Sequence, residues 1–468
     1  MRTEKRKINK KIEQLFNDNN YSQPGNSKKK IRIINKYTVF TLLLLLSAAA
    51  VYLYITYFYT PRPQHINISK VYSISTYDYV ISTPHLTDIN SDSRIDLCYA
   101  DNRGGVHVYD AASKKLIFHY FFKNGITASL FSFDINNDGF AELIATARDG
   151  TTAVLNSQGK YLYKSRQNTI SEPIYNKGAI LSKNNRNYLI LTGRQGTVCS
   201  IAGSYGLTDW KNTDSKVAGE KILASPLIVK INEDKTKDVL VVSEKGSVSA
   251  LDGVSGNELW SLSLEETVIA CPAYGDFINR HEILITTMNR HAFIISLDKG
   301  TVIKKSSIPG SVIASPAAAK FQNNKDEAVI CTDNGHVLRI NFSQNRKKLF
   351  TNKTEINFRA SPVLCDINRD KTTDIIAVSG SGHIYLLDGS TLQKLTPVYK
   401  LQSEVSATPL IGDVNNDGNL EIIIANENGK IYCLVIKTTP AALFPKGRIQ
   451  YNQFLGNVEN LNNIKYYQ

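Results

Sequence analysis

One short pattern recurs along this chain and limits the fold more than any other feature. One or two small residues precede proline at Ile81-Ser82-Thr83-Pro84, Ser171-Glu172-Pro173, Ala224-Ser225-Pro226, Ala270-Cys271-Pro272, Ala314-Ser315-Pro316, Ala360-Ser361-Pro362 and Ala407-Thr408-Pro409. An eighth copy, Ala128-Ser129-Leu130, lacks the proline. Successive intervals are 46, 43, 53, 46, 44, 46 and 47 residues. A period of this length means stacked supersecondary units, so the 468 residues need not divide into two to four unrelated domains.

Each copy reads as four short strands. In the fourth, the expected strands lie near Ala224–Ile231, Asp238–Ser243, Ser247–Leu251 and Glu258–Leu262. They are apolar, rich in β-branched residues and separated by glycine turns. The sixth and eighth copies repeat the central hairpin around Asp333-Asn334-Gly335 and Glu427-Asn428-Gly429, where Asn-Gly supplies the positive φ values of a tight turn. A lone four-stranded sheet has two apolar faces to cover, and a ring of such sheets covers both. The expectation is an all-β chain, an eight-bladed β-propeller of four-stranded antiparallel blades over residues 66–437. A seven-bladed ring with one aberrant copy is the rival count. The eighth copy holds only three strands, so the segment Asn67–Ser75 is expected to complete the last blade. Proline lacks an N–H and fits the start of the innermost strand.

Ahead of the repeats, residues 1–36 carry eleven Lys and Arg against three acids, +8 of the formal +13. The remaining +5 is spread over the rest of the chain, with no basic face in the repeats, so no nucleic acid is expected as a partner. Residues 37–59 contain no charge and are long enough to cross the hydrocarbon core. Tyr37 lies at one edge and Tyr54, Tyr57 and Tyr59 at the other, where amphipathic rings favour the interface. The reading is a basic cytoplasmic tail (1–36), a retained N-terminal transmembrane helix in the lipid bilayer (37–59), a short linker (60–65), the propeller, and a C-terminal extension (438–468). The basic flank keeps the N-terminus cytoplasmic.

The strongest functional pattern follows the first strand of four copies. Copy one has Asp88, Asn90, Asp92 and Asp96; copy two has Asp134, Asn136, Asp138 and Glu142. Copy seven has Asp366, Asn368, Asp370 and Asp374; copy eight has Asp413, Asn415, Asp417 and Glu421. Oxygen donors at positions 1, 3, 5 and 9, with the carbonyl of position 7, can wrap one hard cation such as Ca2+. The absence of sulfur and imidazole argues against zinc. The alternative is a network of Asx turns holding no ion. In copy four Lys230 replaces the first carboxylate and offers internal compensation for Asp234 and Asp238.

These loops resemble the calcium-binding repeats of integrin-like propellers, the FG-GAP or VCBS type. The stretch Leu251-Asp252-Gly253-Val254-Ser255-Gly256-Asn257-Glu258-Leu259-Trp260 resembles quinoprotein (PQQ-type) propeller repeats, and Tyr109-Asp110 and Leu387-Asp388-Gly389 are weaker versions. The resemblance implies up to four structural calcium sites on the sixteen residues just named. The Phe-Gly and Gly-Ala-Pro words of the integrin type are absent, no vicinal cysteine pair is present, and Trp260 is the only repeat-end tryptophan noted.

No catalytic or cofactor-binding residue is assigned. His107, His291, His336 and His383 recur in third-strand positions, as a hydrogen-bonding core or rim element would. The six cysteines lie in apolar strands without CxxC spacing and read as buried thiols. The expectation is a membrane-anchored, calcium-stabilised interaction or scaffold module, leaning against an enzyme. Its partner would be an envelope or extracellular protein, or a glycan. The alternative is a cell-envelope hydrolase or quinoprotein-like oxidoreductase using the channel. The expected place is a bacterial inner membrane with a periplasmic propeller. A eukaryotic secretory pathway is the alternative, and there Asn67, Asn341 and Asn352 would be glycosylation acceptors.

Overall fold

Strands of four to six apolar residues cannot hide both faces alone, and the arrangement they adopt follows from that. The computed structural model describes residues 65–439 apart from 77, 81, 165–169, 322–324, 352–356 and 402, together with Ser47. Among the described residues, thirty-two strands form eight four-stranded antiparallel sheets. Blades 1 to 8 begin with inner strands at His85–Thr87, Phe131–Phe133, Ala179–Lys183, Leu227–Val229, Ala273–Gly275, Ala317–Ala319, Val363–Cys365 and Leu410–Gly412. In blade 4 the chain continues through Asp238–Val242 and Ser247–Leu251 to the outer strand Glu258–Ser263, close to the sequence expectation.

Burial falls from the axis outward. Second strands such as Asp96–Ala100, Asp238–Val242 and Asp374–Val378 are buried at every residue. The outer strands Glu258–Ser263 and Val302–Ser307 alternate between exposed and half-buried positions. The apolar cores lie between blades. Leu240 and Val242 of blade 4 pack with Ile283 and Ile285 of blade 5, and Ile376 and Val378 of blade 7 pack with Ile422 and Ile424 of blade 8. Each fully buried side chain of this size contributes about 1.5–3 kcal/mol.

The ring closes as the termini of the repeat region anticipate. Strand His65–Ser75 pairs antiparallel with Lys430–Thr439 and becomes the outer strand of blade 8, with Ile68 opposite Ile436 and a bulge between Lys70 and Tyr72. Tyr72 and Leu97 then share one core with Leu410, Ile423 and Ile431, which joins blade 8 to blade 1. The blade count is eight.

Two sequence readings need correction. The third copy was aligned on Pro173, but the geometric equivalent is Gly178. In seven of the eight blades, the residue two before the inner strand donates its amide to the side chain of its counterpart in the next blade. Thr83 donates to Ser129 Oγ (3.2 Å), Lys177 to Ser225 Oγ (3.0 Å), Ser225 to Cys271 Sγ (3.2 Å) and Cys271 to Ser315 Oγ (3.0 Å). Ser315 donates to Ser361 Oγ (3.0 Å), Ser361 to Thr408 Oγ1 (3.2 Å) and Thr408 to Thr83 Oγ1 (3.3 Å). Lys177, not Glu172, holds the place in blade 3. Glu172 instead accepts from the Gln195 and Thr197 amides of the blade 3 hairpin. Second, the Asn-Gly hairpins use one positive φ rather than two, at Gly335 (85°) and Gly429 (70°).

The charged tail 1–36, the expected span 37–59 apart from Ser47, and residues 440–468 lie outside the described residues. Among the described residues, no helix is long and apolar enough to cross a membrane.

Candidate metal centres on the acidic loops

An antiparallel meander places its first-to-second and third-to-fourth connections on one face. The four acidic loops share that face, and ring closure makes their blades 7, 8, 1 and 2 consecutive. All four have the same backbone. Position 1 accepts two amides: Asp88 from Asp92 and Ser93, Asp134 from Asp138 and Gly139, Asp366 from Asp370 and Lys371, and Asp413 from Asp417 and Gly418, all at 2.9–3.1 Å. The position 5 amide also donates to the Asn at position 3, namely Asn90, Asn136, Asn368 or Asn415. The amide of position 2 donates to the acid at position 9: Ile89 to Asp96, Ile135 to Glu142, Ile367 to Asp374 and Val414 to Glu421, at 2.9–3.1 Å.

Positions 4 and 6 are both left-handed. Asn137 and Gly139 have φ of 62° and 91°, and Asn416 and Gly418 have 62° and 85°. Ser91 and Ser93, and Arg369 and Lys371, adopt the same region with a Cβ, at the cost expected for non-glycine residues there. The loops fold alike with glycine at position 6, as in copies two and eight, or without it, as in copies one and seven.

Burial and mutual repulsion disfavour the charged form of the carboxylates in these loops. The acids at position 9 start second strands that are buried on both faces. Burial is the largest cause raising their pKa, partly opposed by the amide hydrogen bonds and reinforced by the carboxylates at positions 1 and 5. Asp96 and Glu142 rise to about 7, and Asp374 and Glu421 to about 8. Asp366 rises to about 6, again mainly by burial. Asp96 Oδ1 is buried with no hydrogen-bond partner.

Blades 4 and 6 instead bring a protein cation to this loop. Blade 4 keeps the loop, with Ile231 donating to Asp238 and Asp234 donating to Asn232 Oδ1. Here Lys230 Nζ donates to Asp234 Oδ1 (3.2 Å) and to the Thr236 carbonyl (3.0 Å), the position 5 carboxylate and position 7 carbonyl that a cation would use. Carboxylate oxygens of Asp234, Asp238 and Asp252 lie within 4.8 Å of one another in this blade. In blade 6, Arg339 Nε pairs with Glu327 at 2.8 Å, both side chains buried. Blade 1 has a partial substitute, since Arg94 reaches Asp92 (3.0 Å) and Asp110 (3.3 Å) from a largely exposed position. The donor set is hard oxygen throughout and fits Ca2+.

The recurrent histidines stay apart from these loops. His107 is buried on Asp101 (2.9 Å), His291 pairs with Glu266 (2.9 Å), His336 meets Thr351 and His383 meets Ser381. Sequence reasoning passed over His85, whose Nε2 lies 2.8 Å from Ser132 Oγ. Ser132 Oγ also lies 2.9 Å from Thr87 Oγ1, so the three side chains form one buried network. Burial lowers the His85 pKa to about 3, aided by Lys177. All six cysteines are free and buried. Asn341 is buried, which removes it as a glycosylation acceptor in the folded chain.

Comparison with known proteins agrees with this geometry. Residues 366–424 match the FG-GAP-like repeat. The matched segment starts at the first carboxylate of blade 7 and includes the whole acidic loop of blade 8. By structure the chain is similar to BamB from Moraxella catarrhalis, at 14% identity and a TM-score of 0.57, covering 79% of this chain and 97% of that one. It is similar to Saccharomyces cerevisiae Sqt1 at 13% identity and a TM-score of 0.61, covering 78% and 98%. It is also similar to the quinohemoprotein alcohol dehydrogenase from Comamonas testosteroni at 12% identity and a TM-score of 0.57, covering 79% and 76%. At these identities the likeness is one of fold. No curated protein matches the chain by sequence.

Proposed function

We propose that this chain is a calcium-stabilised propeller held at a membrane by residues 37–59, acting outside the cytoplasm as an interaction or scaffold module. The reading rests on the four acidic loops, which share one backbone geometry, line up on consecutive blades and gather buried carboxylates without a buried protein cation. Asp88, Asn90, Asp92 and Asp96, with their counterparts in blades 2, 7 and 8, would hold the ions. Calcium would supply charge compensation and fix the loops; bound by saturated oxygen sites, it would not activate water. The basic tail and the uncharged run that follows it support a cytoplasmic N-terminus, and a bacterial inner membrane with a periplasmic propeller is the setting we favour. The partner class is an envelope or extracellular protein.

Two measurements test this reading. Calcium should raise the melting temperature of the purified chain, and Glu421→Gln should diminish the rise; a melting curve indifferent to calcium and to chelator contradicts the ion. Crosslinking in native membranes, then capture with calcium retained, should recover one protein in fixed proportion. Recovery of only the chain itself, together with substrate turnover by the purified protein, would favour an enzyme.

A further inference from the structure

On the face opposite the acidic loops, residues of all eight blades line a cavity at the start of the inner strands. The ring of amide-to-side-chain hydrogen bonds uses the oxygens of Thr83, Ser129, Ser225, Ser315, Ser361 and Thr408 as acceptors. Each hydroxyl therefore keeps its proton to donate. Three more buried hydroxyls on the same cavity, Ser82 Oγ, Thr127 Oγ1 and Ser406 Oγ, have no partner in the protein. Lys177 and Arg359 line the cavity as well, from blades 3 and 7, which lie across the ring from each other. Among its described lining residues there is no carboxylate. Asn176 Oδ1 is an unpaired acceptor there.

The mouth is two-sided. Among the described residues, those two before the ring position are Leu223, Ile269 and Ile313 in blades 4, 5 and 6, and Arg359, Ser406, Thr127 and Tyr175 in blades 7, 8, 2 and 3; blade 1 has Ile81 there, outside the described residues. The three aliphatic residues sit on consecutive blades, and the other described positions carry polar groups. The cavity measures about 210 Å³, room for a small molecule and not for a peptide strand.

The geometry points to a binding site for a small organic anion, with a carboxylate or phosphate head and an apolar edge, inside this cavity. The head lies among Lys177, Arg359 and the donor hydroxyls, and the apolar edge rests on Leu223, Ile269 and Ile313. An anion suits this lining because Lys177, Arg359 and the hydroxyl protons offer it many donors, while no described carboxylate is there to balance a bound cation. The site is independent of calcium, which concerns the other face.

Calorimetric titration of the purified full chain, with calcium present, tests the site. The probes are butyl phosphate, hexanoate and, as the uncharged control, butanol. At least one of the two anions should bind saturably, and the preferred head distinguishes phosphate from carboxylate. Butanol should not bind. Lys177→Met and Arg359→Gln should each weaken binding by about tenfold or more, the loss expected for one charge-assisted hydrogen bond. Arg359 is exposed at the rim, so its variant keeps the test alive if the Lys177 variant folds poorly. Absence of saturable binding by both anions, equal binding of butanol, or wild-type affinity in Arg359→Gln would overturn the proposal. Failure of the calcium sites would appear separately, as a melting curve unmoved by chelator.

Discussion

Single positions in this chain decide how one blade holds the next. The third residue of the outer strand is Phe118, Tyr163, Trp210 and Trp260 in blades 1 to 4, and each ring covers a left-handed glycine of the following blade: Gly159, Gly206, Gly256 and Gly300. Trp210 Nε1 also donates to the Gly253 carbonyl (3.1 Å) and Trp260 Nε1 to that of Leu297 (2.8 Å). In blades 5 and 6 the same position is Lys304 and Lys348, whose ammonium groups cap the Phe342 and Ser390 carbonyls. There the left-handed residues are Asn345 and Leu392, since no ring excludes a Cβ. Trp210 thus shares the role that sequence reading gave to Trp260 alone; the absence of a Gly-x-Glu-Leu-Trp word around it hid the equivalence. Trp210→Ala should cost about 3–5 kcal/mol in denaturant unfolding, as a buried aromatic removed from a packed contact does. His85 gives a pH prediction. Its folded pKa of about 3 lies below the ordinary 6.5, so in that window the unfolded chain takes up a proton that the folded chain refuses. Stability should therefore fall as pH drops below about 6.5, by up to about 1.4 kcal/mol per unit. Unfolding titrations at several pH values should show His85→Gln losing that part of the slope, and equal slopes would remove His85 as the cause.

At the scale of the element, the acidic loop is a unit that works with different occupants. Its residues were legible because oxygen donors at fixed spacing leave a direct trace in sequence. The shared backbone of copies one and seven was less legible, since Ser93 and Lys371 adopt a conformation that sequence reading assigns to glycine. Ala-Ser-Pro was read for its proline, and the serine ring went unseen because the contact is between blades and leaves no local periodicity. The same blindness misplaced blade 3, where Lys177-Gly178 carries neither serine nor proline. Lys230 reads in the sequence as internal compensation for Asp234 and Asp238; its contacts with Asp234 and the Thr236 carbonyl make it a natural control. Lys230→Asp restores the full donor series with Asn232, Asp234 and Asp238. This variant should bind one more calcium ion than the wild type and, without calcium, should be less stable by about 1–3 kcal/mol from uncompensated carboxylates. Ion counting and unfolding curves with and without chelator check both halves.

Across the whole molecule, the closed circle and the arc of acidic loops belong together. The strand His65–Ser75 covers the edge of Lys430–Thr439 and lets blades 8 and 1 meet, which makes the loops of blades 7, 8, 1 and 2 one continuous arc. Removing residues 65–75 would expose a ten-residue edge strand and take Ile66, Ile68 and Tyr72 out of two inter-blade cores. The shortened chain should lose cooperative unfolding and become protease-sensitive between blades 8 and 1, which limited digestion would show. The ring was foreseeable because period and hydrophobic pattern repeat eight times; a surface for a partner leaves no such repetition. The most direct test of the account is a calcium count on the full chain by equilibrium dialysis with atomic emission. The account predicts four ions per chain, the weakest in blade 1 where Arg94 already touches Asp92. A chain that retains no calcium at saturating concentration would contradict it.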